Sequence, residues 1–466
     1  MVPMQADPNE VADRFDVFVI GGGGTGSEIA FRLARTTRLR VGLAERDKLG
    51  GECNHYGCVP TKVMLRSANI AAIGRDAARF GVRIPSVEVD IHAVRERARA
   101  IIASMSGEGA APFERLGVKV FLQEARLIGE HRIELADGTQ VTSDKIVLAT
   151  GSRATAPPIP GLDDGPYWTN KEAIWTSSPA PSSLAVIGTG AVGIEFAQIF
   201  SRFGSRVTAI EALPQILPNE DEDAAASVAE ALEAEGIVLC RDVTIESATH
   251  DGRMWSLSVD GSDPIRADAL IVATGRSPVF DVHDLDAASV DLDESGRPLL
   301  TETLRTTNDA IWAAGDATGD LLFTHVGSYE AEIVVNDIRA EPLPRDYRVI
   351  PRVTFCDPEV ASVGMTEAEA RKKGREVGVG ISRAVDNERA VIEGRTIGLV
   401  KVIADTQTGE LLGGHIVGVE AGAMIHEIVA LMAGRVPVAV GGSAVHAYPT
   451  MSESVKGALQ DAATKI

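Results

Sequence analysis

Two cysteines, Cys53 and Cys58, stand with four residues between them in Gly50-Gly51-Glu52-Cys53-Asn54-His55-Tyr56-Gly57-Cys58-Val59-Pro60-Thr61-Lys62. A helical run follows and a glycine-rich turn precedes. Thiols so placed can interconvert as dithiol and disulfide, a two-electron couple beside a bound cofactor. The other two of the chain's four cysteines, Cys240 and Cys356, have no partner in the pattern and read as small packing residues. A secreted disulfide framework would carry more cysteines in a smaller chain. The C-x4-C spacing is poor for a zinc knuckle and no second pair completes four ligands, so no metal site is expected. A redox couple is favoured.

Such a couple needs a neighbouring electron carrier, and the chain has elements for two. The apolar run Asp16 to Ile20 leads into Gly21-Gly22-Gly23-Gly24-Thr25-Gly26 and then a helical run from Ser27 to about Thr36. In a G-x-G-x-x-G turn between strand and helix, Gly21 makes the turn, Gly23 admits a pyrophosphate and Gly26 lets helix and strand pack. The helix N-terminus supplies N–H groups and the positive end of a dipole. The next strand, Arg40 to Ala44, ends at Glu45, an acid suited to ribose hydroxyls. A buried strand closes the module at Ala149-Thr150-Gly151-Ser152.

The same order recurs from Leu184: strand, Gly188-Thr189-Gly190-Ala191-Val192-Gly193, helix, strand Arg206 to Ile210, Glu211, and a closing Ala273-Thr274-Gly275. This whole-domain repeat implies two different dinucleotides. A carboxylate at 211 accepts ribose hydroxyls and repels a 2′-phosphate, which favours NAD over NADP.

Between and after the modules, the pattern predicts helices from about Lys62 to Phe80 and from Ile91 to Leu116. It also predicts an antiparallel meander from Val118 to Thr142 with a turn at Asp137-Gly138, and a Pro- and Gly-rich linker from Ala154 to Gly165. Ile311 to Ala314 reads as a strand ending in Gly315-Asp316, ahead of a helix from His325 to Ala340. From Ile350 strands with Gly turns precede a helix from Gly422 to Gly434, then His446-Ala447-Tyr448-Pro449-Thr450-Met451-Ser452-Glu453 and a last helix.

At 466 residues the chain is long enough for about three domains. A net charge of −21, spread along the chain, argues against a nucleic-acid partner. No apolar run reaches the roughly 18 residues of a membrane span, and Met1 to Asp16 lacks the charge-then-apolar pattern of a signal peptide. A soluble, cytoplasmic protein is expected.

Taken together, these motifs resemble the class I pyridine nucleotide-disulfide oxidoreductases, a flavin-dependent family that includes dihydrolipoyl dehydrogenase, glutathione reductase and mercuric reductase. The resemblance runs from about Phe15 to the last helix. It implies an α/β fold: two Rossmann-like dinucleotide-binding domains plus a C-terminal α+β dimerisation domain. FAD-binding segments would be 1–151 and 276–349, the NAD-binding domain 152–275 and the dimerisation domain 350–466. By the same resemblance Gly51, Thr150, Gly151, Ser152 and Gly315 line FAD, Glu45 binds its ribose, Asp316 its ribityl chain, and Thr324 makes a further contact. Gly275 closes the NAD site. Cys58 is the flavin-side thiolate and Cys53 the thiol that attacks a disulfide substrate; Lys62 and Glu195 form a pair near flavin and nicotinamide. The segment Pro351 to Thr366 matches the usual opening of the dimerisation domain of a homodimer.

One position departs. The family's disulfide reductases end in His-Pro with Glu five residues after the His, and here Pro449 and Glu453 are present while Tyr448 replaces the His. A tyrosine, with a pKa of about 10, is a poor base near neutrality. His446 is a candidate substitute, because residues two apart in an extended segment point the same way; the alternative is a structural interface histidine. The leading expectation is a homodimeric, dihydrolipoyl dehydrogenase-like flavoenzyme carrying electrons from NADH through FAD and Cys53–Cys58 to a small-molecule acceptor. Membership of a multi-enzyme complex is left open. One rival is an NAD(P)H dehydrogenase for quinones, metal ions or oxygen. Another, from a different class, is an FAD-binding redox sensor or assembly subunit. Mercury reduction itself is not expected, since the chain ends without a second cysteine pair and lacks an N-terminal metal-binding domain.

Overall fold

The computed structural model describes residues 13–261 and 263–466. The expectation about a signal segment at the start therefore falls largely outside the described residues. Two compact units are present. One is built from the chain up to Pro60 with Ala98–Ala154 and Arg276–Asp346; the other from Thr61–Arg97, Thr155–Gly275 and Tyr347–Ile466.

The first unit is centred on a seven-stranded sheet. Its parallel part runs Lys119–Phe121, Val41–Ala44, Asp13–Ile20, Gln140–Leu148 and Ile311–Ala313. Strand Gln140–Leu148 serves two partners along one edge. Its N-terminal half pairs antiparallel with Arg132–Leu135, itself paired with Ala125–Gly129, and its C-terminal half pairs parallel with Ile311–Ala313. The central strands become continuously apolar toward their C-terminal ends, at Val17 to Ile20 and Ile146 to Leu148, as strand segments covered on both faces must be. Helices Gly24–Thr36 and Thr324–Ile338 supply Ile29, Leu33, Ile333 and Val334 to one buried cluster with Val17, Val19 and Trp312.

The second unit holds a four-stranded parallel sheet, Val238–Cys240, Arg206–Ile210, Ser183–Ile187 and Ala269–Val272, beside a three-stranded meander. It also holds a five-stranded antiparallel sheet in the order Pro351–Thr354, Glu359–Gly364, Leu411–Gly418, Leu399–Asp405, Val377–Arg383. Helices Ala421–Ala433 and Glu453–Ala463 contribute to that sheet's apolar cluster. Within this unit the buried Lys401 of the sheet bonds Asp221 at 2.9 Å, Asp223 at 2.7 Å and Glu367 at 2.9 Å, so its charge is fully paired.

Four element boundaries move from the sequence expectation. Helix Cys58–Asp76 starts at Cys58 rather than Lys62, since Pro60 is tolerated in a first helical turn, where its N–H would have no partner. The helix expected to reach Leu116 stops at Ser106, where the chain enters Gly107 and Gly109 (φ +54°), and only Ala111–Glu114 resumes. The expected meander loses its first strand, because Lys119–Phe121 pairs parallel with Val41–Ala44. The expected linker is strand at its start: Ser152–Ala154 pairs with Arg276–Pro278. Among the described residues no helix is long and apolar enough to cross a membrane.

Candidate functional site

The two glycine turns match position by position. Gly21 (φ +104°) and Gly188 (φ +91°) take the left-handed conformation that favours glycine, and a Cβ on either would collide with the backbone of Ala149 or Ala273. A Cβ on Gly26 or Gly193 would strike the carbonyl oxygen of Gly21 or Gly188, which is how closely each helix lies on its turn. At the middle glycines, Gly23 and Gly190, an added Cβ would meet nothing within 4 Å. That open side is where a phosphate could approach bare backbone.

The strand-end acids are tied to these turns in the same way. Glu45 Oε2 accepts the Gly22 N–H at 2.7 Å and its Oε1 the Asp47 N–H at 2.8 Å. Glu211 Oε2 accepts both the N–H (3.0 Å) and the hydroxyl (2.7 Å) of Thr189, while Oε1 accepts the Leu213 N–H at 3.1 Å. Thr150 at the first closing strand has a buried hydroxyl with no protein partner, a polar atom suited to a ligand. A cavity of about 430 Å³ beside the first turn is lined by Ser27, Leu49, Gly50, Asn54, Met105 and Phe113. The open glycines, the orphaned hydroxyl and this cavity fit a dinucleotide.

The cysteine stretch is stitched onto the first turn. The Gly50 N–H donates to Gly22 O at 2.8 Å, Gly50 bridges Gly23 in parallel, and a Cβ on Gly51 (φ +56°) would come within 2.7 Å of the Gly23 Cα. Cys53 then sits on the short helix Gly51–His55, and Cys58 opens the helix Cys58–Asp76. The hydrogen bond to Cys58, with burial, raises the pKa of the Cys53 thiol above the usual cysteine range. Cys58 Sγ also lies 3.6 Å from Thr324 Oγ1.

Asp316 lies at the end of a polar chain that sequence reasoning did not find. Ser152 Oγ donates to Asp316 Oδ2 at 2.5 Å, Arg276 Nε donates to Ser152 Oγ at 2.8 Å, and Arg276 Nη1 reaches Glu52 Oε1 at 3.4 Å. The available signal was position alone: Arg276 directly follows Gly275, and Glu52 directly precedes Cys53. Gly315 (φ +70°) donates its N–H to Glu330 Oε2 at 2.6 Å.

In the second unit Lys62 Nζ meets both oxygens of Glu195, at 2.9 and 2.8 Å. The Glu195 side chain is 4% exposed and that of Lys62 35%. Glu195 Oε1 also accepts the Phe355 N–H at 3.0 Å, and the Lys62 ammonium lies 4.6 Å from the centroid of the Phe355 ring. Gly275 (φ +139°) accepts the Thr155 N–H at 3.1 Å. Cys356 is buried, its thiol pKa pushed up by burial and by the nearby Glu195 charge; Cys240 is half-buried in an apolar cluster. Neither environment favours a reactive thiolate.

The C-terminal residues separate. His446 Nε2 pairs with Glu427 Oε1 at 3.0 Å, and its side chain is 9% exposed. Tyr448 is 71% exposed. The chain bends at Tyr448-Pro449 instead of running on as a strand. Glu453 begins the last helix, and its Oε2 accepts the Thr450 N–H at 3.0 Å as a first-turn acid does.

Two matched glycine cradles with strand-end acids, and a thiol pair held against one of them, define a two-dinucleotide thiol oxidoreductase. Comparison with known proteins makes the class specific. Residues 15–331 match the family described as pyridine nucleotide-disulphide oxidoreductase, and residues 350–459 match that family's dimerisation domain. Dihydrolipoyl dehydrogenase of Chlorobaculum tepidum is 36% identical, over 98% of each chain. Mercuric reductase of Bacillus cereus is 31% identical, over 95% of this chain and 70% of that one. Among solved structures, the HOCl-induced flavoprotein disulfide reductase RclA of Escherichia coli superposes with a TM-score of 0.85 at 27% identity, over 96% of this chain and 99% of that one. The chain belongs to the pyridine nucleotide-disulphide oxidoreductase family. It is an FAD-dependent NAD(P)H disulfide oxidoreductase, and its dimerisation domain marks a homodimer.

Proposed function

We propose that this is a cytoplasmic homodimer that oxidises NADH and reduces a small-molecule acceptor through the Cys53–Cys58 couple. FAD would be held by 1–151 and 276–349, NAD by 152–275, and the partner copy by 350–466. The observation that carries this is the attachment of the cysteine stretch to the first glycine turn through Gly50, Gly51, Gly22 and Gly23. Gly21, Gly23, Gly26, Glu45, Thr150, Gly151, Ser152, Asp316 and Thr324 are the residues we assign to FAD, which when bound supplies two-electron transfer between the nicotinamide and the cysteine pair. Gly188, Gly190, Gly193, Glu211 and Gly275 are assigned to NAD. Glu211 supports NAD over NADP, because a buried carboxylate opposes a phosphate on the ribose.

Cys58, at the head of its helix, is assigned to hold the thiolate, while Cys53 carries its proton until it attacks an acceptor. Lys62 supplies a positive charge that Glu195 keeps paired, which avoids an isolated charge in a partly buried site. Tyr448 and Glu453 stand where the family's His–Glu pair would, and we assign Tyr448 a donor's role rather than a base's. A disulfide of the lipoamide type is the first acceptor to test, given the 36% identity to a dihydrolipoyl dehydrogenase. A metal-ion acceptor is the second reading, supported by similarity to a mercuric reductase and to a solved Cu(II) complex of RclA.

The test is an anaerobic titration of the FAD-loaded protein with NADH and with NADPH. NADH is expected to give a long-wavelength thiolate-to-flavin band at lower concentration than NADPH. Absence of the band with either nucleotide overturns the couple's assignment; preference for NADPH overturns that of Glu211. Turnover with lipoamide, glutathione disulfide, a quinone and Cu(II) then ranks the acceptors.

A further inference from the structure

Phe355 lies in the segment that opens the dimerisation domain, yet its contacts are with the ion pair assigned to flavin chemistry. Its backbone N–H donates to Glu195 Oε1 at 3.0 Å, and its ring lies 4.6 Å from the Lys62 ammonium. One residue therefore holds both halves of the pair, the anion by a directional hydrogen bond and the cation by the negative face of its ring. Glu195 contributes both oxygens to Lys62, so Oε1 is shared between the ammonium and this N–H. Phe355 is 38% exposed and the Lys62 side chain 35%, which places the cation–ring contact at the weaker end of its range. The backbone at 355 is fixed by strand Pro351–Thr354, which pairs with Glu359–Gly364. It is fixed further by the Asp357 N–H, donated at 2.8 Å to Gln198 of the helix that also carries Glu195. Phe355 is thus attached to a rigid sheet, whereas Lys62 ends a flexible four-carbon stem.

We propose that Phe355 is a positioning residue for the Lys62–Glu195 pair, its ring setting where the Lys62 ammonium rests. The proposal rests on the assignment of that pair to the flavin and nicotinamide site. A side chain of similar size without a π face leaves the N–H bond to Glu195 in place and removes only the hold on Lys62. Lysine then samples more positions, and less of its charge is in place when negative charge develops on the cofactor.

Two measurements test this. The first uses the protein with its lysines reductively methylated with 13C, with and without FAD, the Lys62 signal being assigned by Lys62→Arg. The Lys62 methyl signal is expected to be shifted upfield by the ring and to return to the bulk lysine position in Phe355→Leu. A Lys62 signal already at the bulk position in the unsubstituted protein overturns the proposal. The second replaces Phe355 with 4-fluoro-, 3,5-difluoro- and pentafluorophenylalanine, which keep the ring's shape while draining its negative face. The rate of flavin reduction by NADH is expected to fall stepwise, by about two- to fivefold at pentafluorophenylalanine. A flat series, while Lys62→Met slows reduction, overturns the positioning role and leaves the assignment of Lys62 intact. No effect of Lys62→Met overturns that assignment instead, and the methyl signal still decides whether the ring holds the lysine.

Discussion

The stretch around Cys53 and Cys58 and the stretch from His446 to Glu453, to which the resemblance assigns the two halves of disulfide chemistry, differ in how each is engaged within one chain. The cysteine stretch is fastened through backbone contacts between glycines, and each thiol has a named neighbour in Cys58, Cys53 or Thr324. In the C-terminal stretch the titratable groups are engaged elsewhere or exposed. His446 is paired with Glu427, Glu453 accepts the Thr450 N–H, and Tyr448 is 71% exposed. Electron storage is specified by backbone geometry that few substitutions could imitate. Proton supply, as the resemblance assigns it, rests on position 448, where Tyr448 stands in place of the family's His. An enzyme can keep the first while the second drifts toward another acceptor, because the couple needs only proximity whereas a base needs a matched pKa.

Three perturbations sharpen or break this contrast. The largest effect is expected from Cys58→Ser, which should remove the long-wavelength band and all turnover with disulfides; retained Cu(II) or quinone reduction in that variant would show that electrons bypass the couple. Next, Tyr448→His should raise lipoamide turnover by about a hundredfold, the lower end of what a positioned base supplies. Fast lipoamide turnover before the substitution, unimproved by it, would show that the C-terminal stretch is complete as it stands. The smallest effect concerns Cys53. Its thiol pKa is raised by the hydrogen bond to Cys58 and by burial, so the protonated form persists as pH rises through the ordinary cysteine range. Iodoacetamide labelling of Cys53 in the reduced protein should therefore keep rising beyond about pH 9.5, a unit above the usual thiol pKa, where an ordinary thiol levels off. A plateau near that pH, read by mass spectrometry of the labelled peptide, would contradict the raised value.

Much of the fold was legible in order and kind. The strand–glycine–helix–acid series was read twice from the sequence, because a turn that demands positive φ and a helix touching a carbonyl both select glycine at fixed spacing. The boundaries that moved are those where long-range pairing overrides local preference. Lys119–Phe121 became a parallel strand because Val41–Ala44 offered an edge, which no local pattern announces. At the site, Lys62 and Glu195 were proposed by resemblance and lie 2.8 Å apart, 133 positions from each other in the chain. Phe355 and Arg276 were not found, since one acts partly through its backbone N–H and the other through a chain of hydrogen bonds.

The sequence by itself determined the two cradles, their acids, the thiol pair and the absence of the usual histidine, because each depends on residue type at short spacing. Only the tertiary structure decided the remaining partners of the charged groups: Phe355 beside the Lys62–Glu195 pair, His446 with Glu427, Asp316 with Ser152 and Arg276. The physical reason is range. Backbone turns are encoded within a few residues, whereas a buried or half-buried charge is satisfied by whatever group folding brings within about 3 Å, however distant in the chain.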